Sequence, residues 1–95
     1  MSRRGKTYFV EIDEAATSYN ITNIIVTGMG SLDEAEEMLQ EAIDSAAIDL
    51  GTYEPWEVEL TLEERPISAE MRREYPVISR IQIEELLDGG VLYLE

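Results

Sequence analysis

Carboxylates are the side chains of this chain best placed to do chemistry. Asp and Glu make up 21 of its 95 residues, against 7 Lys and Arg, with no His and no Cys. Carboxylates held close together can act as a general acid and base, cage a divalent cation, or present a negative field to a positive partner. Twelve of them lie between residues 31 and 64, where no Lys or Arg occurs. Residues 1–30 sum to zero and residues 65–95 to −2, so this one segment carries most of the formal charge of −14. A surface built only for solubility would intersperse both signs.

Each chemistry leaves a different mark. A calcium or magnesium cage needs a loop such as Asp-x-Asp-x-Asp-Gly, and none occurs. Acid–base work needs one carboxyl set apart from its neighbours by burial, and nothing distinguishes one here. A carboxylate-dependent divalent-metal protein therefore stands only as a second alternative. Without His or Cys the commonest general base, the commonest zinc ligand, disulfides and thiol catalysis are all missing. Ser and Thr have no histidine to activate them, and the single Lys6 lies near the N-terminus. Gly28-Met29-Gly30 before Ser31 resembles the opening of a dinucleotide-binding turn. Asp33 stands where the third glycine belongs, and Asp33 and Glu34 would repel a pyrophosphate. A tight turn accounts for the two glycines, and no cofactor is implied. Asn20-Ile21-Thr22 matches a glycosylation pattern by chance, since no secretory signal precedes it.

What remains is the field, and two elements must position it. Ser31 caps a helix, with Glu34 three residues on to complete a capping box. Leu32, Ala35, Met38, Leu39, Ala42, Ile43 and Ala46 follow at helical spacing as one buried stripe, with Gly51 as the stop. Outside the stripe lie Asp33, Glu36, Glu37, Glu41 and Asp44. Like-charge neighbours one turn apart each cost about 0.2–0.5 kcal/mol, and together about 1–2 kcal/mol. Stability alone would favour Lys or Arg at some of these positions. Trp56 to Leu62 alternates as a strand, with Trp56, Val58, Leu60 and Leu62 facing the core and Glu57 and Glu59 facing out. Glu57 and Glu59 would then project about 6–7 Å apart, and one helical turn advances the helix acids by about 5–6 Å. Such spacings mimic a row of phosphates in a groove lined with Lys and Arg. The expected partner-binding residues are Asp33, Glu36, Glu37, Glu41 and Asp44 on the helix, with Glu54, Glu57 and Glu59 near the strand. Trp56 is assigned to the core or its edge, leaving Tyr53, Glu54 and Pro55 before it as contact candidates.

The rest of the chain reads as scaffold. Residues 1–95 make a single acidic domain with a modest core. Lys6 to Asp13 is a strand with Tyr8, Val10 and Ile12 on one face and Phe9, Glu11 and Asp13 on the other. Tyr19 to Thr27 is its hairpin partner. Ser68 to Tyr75 is a short helix ended by Pro76, and Val77 to Ile83 reads equally as strand or helix. Ile83 to Asp88 is a short helix and Val91 to Leu94 a last strand. Arg65, Arg72, Arg73 and Arg80 pair internally with Glu70, Glu74, Glu84 and Glu85, or Arg72 and Arg73 meet an acidic partner or a second copy in a homodimer. Arg3, Arg4 and Lys6 form a frayed arm. The order β-β-α-β-(short helices)-β implies an α+β fold, a mostly antiparallel sheet of about four strands with one main helix on one face and the other face partly wet.

In size, charge, lack of Cys and His, and the acidic run from Asp33 to Glu64, the chain resembles small acidic phage-encoded inhibitors. Anti-CRISPR proteins and DNA-mimic inhibitors of restriction enzymes are the examples. The resemblance is one of kind, without a shared motif. It implies a non-enzymatic protein whose acidic surface blocks a basic, nucleic-acid-binding effector or nuclease without itself binding nucleic acid. With no apolar run fit for a membrane span or signal peptide, the expected location is the cytoplasm, the host's if phage-encoded. The alternative is a halophilic domain or a structural subunit of a larger assembly. The excess of Glu over Asp, 16 to 5, and the confinement of the acid to one segment argue against halophily.

Overall fold

Alternating β-branched and polar residues put Lys6–Glu14 (β1) and Asn20–Met29 (β2) into an antiparallel hairpin. The computed structural model describes residues 5–94. Arg3 and Arg4 of the expected arm lie outside the described residues. Val58–Glu64 (β4) pairs antiparallel with the free side of β1, and Val77–Ser79 (β5) pairs parallel with β2. The main sheet therefore runs β4-β1-β2-β5. Tyr8, Val10, Ile12, Ile24 and Val26 are buried on one face beneath Leu32–Asp44 (α1). This is the expected α+β fold, four strands with the main helix on one face.

Both ends of α1 are set locally. The Ser31 hydroxyl accepts from Glu34 N at 3.1 Å. The Glu34 carboxylate reaches back one residue further than a capping box, accepting from Gly30 N at 2.6 Å. Ala35, Leu39, Ala42 and Ile43 are buried and Met38 is half-buried, whereas Leu32 is 42% exposed. The helix stops at Asp44 and not near Gly51, because Ala46 takes a left-handed φ of 64°. That turn sends Ala47, Ile48 and Leu50 into the core. Ile48–Asp49 (β3) is a short strand and pairs parallel with Leu92–Tyr93 (β6). The last strand thus joins a second, two-stranded sheet, and β5 supplies the fourth strand of the main one.

The stretch 77–83 divides at one residue. Ser79 ends β5, and its hydroxyl accepts from Gln82 N at 3.2 Å to cap Arg80–Leu87 (α3). The helix before it, Ala69–Glu74 (α2), is capped by Ser68 and ends at Tyr75 ahead of Pro76. The sheet face away from α1 is only partly wet. Phe9 and Ile25, opposite each other in the ladder, are buried there. Tyr75 meets the Phe9 ring edge-on at 5.2 Å, and the Arg65 guanidinium lies 4.3 Å from its centre.

Trp56 departs from expectation. Pro55–Glu57 forms a single 3-10 turn, and the Val58 N–H returns to the Pro55 carbonyl. The tight turn takes Trp56 out of the period-two register, so the indole is 78% exposed and not part of the core. The strand begins at Val58, where alternation with Leu60 and Leu62 holds.

Candidate functional site

The helix supplies the larger part of the acidic surface. Successive residues turn by roughly 100°, so a stripe buried at Ala35, Leu39, Ala42 and Ile43 turns Asp33, Glu37, Glu41 and Asp44 to the far side, each one turn or so from the next. All four are exposed, as is Glu36. Asp44 accepts from the Gln40 side-chain amide at 3.0 Å. Among the described residues none of these five carboxylates has an ion pair. The pairs lie elsewhere: Lys6 with Glu64, Arg65 with Glu63, and Arg80 with both Glu34 and Glu84. Arg80–Glu84 is one of the expected internal pairs. Arg72 and Arg73 form no ion pair with Glu70 or Glu74 among the described residues. Among the described residues, the cations that form ion pairs therefore pair with carboxylates other than these five.

The strand acids join this ridge around an edge. Because α1 covers the face of Val58, Leu60 and Leu62, the side chain of Glu59 points to the opposite face. However, β4 is the outermost strand. Glu36, Glu37 and Gln40 from α1 and Val58, Glu59 and Leu60 from β4 line one groove of about 450 Å³. Glu59 thereby borders the same depression as two helix acids. Glu57 is not its strand neighbour as expected. The 3-10 turn removes Glu57 from β4, and its carboxylate accepts from Glu54 N at 2.8 Å. Glu54 is exposed beside a separate cleft of about 190 Å³ next to Ile43 and Ala46, at the C-terminal end of α1. Tyr53 packs against the core and Pro55 is half-buried, so of those three contact candidates Glu54 is the exposed one. The eight predicted residues thus divide into two groups: Asp33, Glu36, Glu37, Glu41, Asp44 and Glu59 around α1 and the β4 edge, and Glu54 with Glu57 at the turn.

Strand pairing adds acids from outside the base-free segment. Asp13 lies directly opposite Glu59, and Glu11 opposite Thr61, on the face away from α1. Like charges placed directly opposite are unfavourable. The Asn20 side-chain amide relieves part of this by donating to Asp13 Oδ1 at 2.8 Å. The alternation of β1 had placed Glu11 and Asp13 on one face. Only the pairing of β1 with β4 shows that this face continues into Glu59 and Glu63.

The arrangement spreads carboxylates over a convex ridge and an edge. Among the described residues no group of three or more His, Cys, Asp or Glu converges to hold a metal ion. At the Gly28–Gly30 turn the Glu34 carboxylate occupies the Gly30 N–H, so a phosphate would meet an anion already in place. No helix among the described residues is long and apolar enough to cross a membrane. Comparison of the chain with protein-family models, with curated proteins and with solved structures found no match.

Proposed function

We propose that this protein is a non-enzymatic inhibitor that lays its acidic surface into a basic, nucleic-acid-handling site on a partner protein. The observation that carries the reading is the ridge of Asp33, Glu37, Glu41 and Asp44, exposed along one side of α1 with no Lys or Arg paired to it among the described residues. An isolated fold gains nothing from that repulsion. A groove lined with Lys and Arg would, because the ridge repeats charge at intervals close to those of a nucleic-acid backbone. The reading is of the anti-CRISPR or DNA-mimic type, acting in the cytoplasm of a cell whose effector or nuclease it blocks. The chain itself repels nucleic acid.

The test is affinity capture at low salt, identification of what salt elutes, and competition of the purified partner against its own nucleic acid. The reading expects capture to weaken steeply between low and high salt, and nucleic acid to displace the protein. The combined substitutions Glu37→Lys, Glu41→Lys and Asp44→Lys should abolish both. A partner held equally at all salt concentrations, or one that binds nucleic acid and this protein together, would refute it.

A further inference from the structure

The edge strand below the ridge is an unfinished sheet. Across the β1–β4 ladder, Ala15 N donates to Glu57 O at 2.8 Å. Hydrogen-bonded and non-hydrogen-bonded pairs alternate along an antiparallel ladder. Glu59, Thr61 and Glu63 therefore turn their amides and carbonyls towards β1, while Leu60 and Leu62 turn theirs outwards. Among the described residues no strand other than β1 pairs with β4. The ladder runs without a shift from Tyr8 opposite Glu64 to Glu14 opposite Val58. No bulge or proline blunts this seven-residue edge, whereas β5 at the other edge has three residues.

We propose that β4 takes up an extended, basic segment of a partner protein as an added antiparallel strand, seated in the groove beside α1. Charge complementarity selects this occupant. Two copies of β4 paired about Thr61 would set Glu59 against Glu63 twice over, which disfavours that pairing with a second copy of this chain. The same glutamates favour Lys or Arg. Side chains directly opposite one another share a face. Incoming residues opposite Glu59 and Glu63 are therefore basic, four apart, on the open side. Those opposite Leu60 and Leu62 are apolar and lie on the α1 side, where Glu36 and Glu37 overhang the groove. Main-chain bonds to Leu60 and Leu62 supply binding, and the alternation supplies selectivity. The inference rests on the reading that the partner is basic, and adds how one segment of it docks.

The experiment titrates isotope-labelled full-length protein at low salt with a blocked peptide, Gly-Lys-Val-Thr-Val-Lys-Gly. Two controls accompany it: the scramble Gly-Lys-Lys-Thr-Val-Val-Gly, of equal charge, and the first peptide N-methylated at both valines. Added-strand binding slows exchange of the Leu60 and Leu62 amides about tenfold or more at saturation, and leaves Thr61 and Glu63, already bonded to β1, unchanged. Either control should bind about tenfold more weakly. Equal binding of all three peptides without protection at Leu60 and Leu62 overturns the added strand while leaving the acidic-surface reading intact. Failure of the first peptide to bind at low salt overturns it as well.

Discussion

Replacing Glu37 by Lys should make this protein more stable. Glu37 is exposed on the side of α1 away from the core, with Asp33 four residues before it and Glu41 four residues after. Each like-charge pair at this spacing costs about 0.2–0.5 kcal/mol, and reversing one charge converts the cost into a gain of similar size. Two pairs reversed therefore change stability by about 1 kcal/mol, discounting the less favourable order of Lys before Glu41. For a domain of this length that is a rise in Tm of roughly 4–8 °C. Glu37→Gln removes the repulsion without adding attraction and should give about half as much. The assay is thermal unfolding by circular dichroism at about 10 mM and at 1 M NaCl, since the screening length falls from about 30 Å to 3 Å between them. The gain should be clear at low salt and nearly vanish at high salt. A variant that melts below the parent protein at low salt, or a gain indifferent to salt, would refute the electrostatic account of α1. The same substitution should weaken partner capture, because the repulsion is the feature ascribed to function.

Other outcomes follow from packing. Leu39, buried between α1 and the sheet, should lose about 2–5 kcal/mol on replacement by Ala, measured by urea unfolding. Gly5→Ala should destabilise by about 1–3 kcal/mol in the same assay, because a Cβ there would stand 2.2 Å from the Gly28 carbonyl carbon. Trp56→Ala should change stability by less than about 0.5 kcal/mol, since the indole lies outside the core. In the parent protein its fluorescence should be red-shifted and fully open to acrylamide; a blue-shifted, protected signal would restore Trp56 to the core.

Periodicity carried much of the fold. The stripe from Ala35 to Ile43, the Ser31 cap, and the inward set Tyr8, Val10 and Ile12 follow from local spacing, which needs no knowledge of what packs against them. Expectations failed where a short backbone event outweighed the pattern. The 3-10 turn at Pro55–Glu57 removed Trp56 and Glu57 from an alternation they fit in sequence. The left-handed Ala46 cut the helix short, where glycine would be the usual marker. Ser79 divided an ambiguous stretch by serving as strand end and helix cap at once. The pairing of Ile48–Asp49 with Leu92–Tyr93 spans too much of the chain to be read from either segment.

The acids divide in the same way. Composition alone determined that residues 31–64 carry negative charge with no compensating base, and helical spacing determined that Asp33, Glu37, Glu41 and Asp44 repel one another on one side of α1. Which acids share a surface was decided by tertiary structure. A strand side chain has its direction set by parity, but its neighbours are set by pairing. Placing β4 at the sheet edge beside α1 brought Glu59 to the groove of Glu36 and Glu37, and pairing it with β1 brought in Asp13 and Glu11. The outward-facing backbone of Leu60 and Leu62, which no strand pairs among the described residues, is a consequence of that edge position, which strand order creates and local sequence cannot encode.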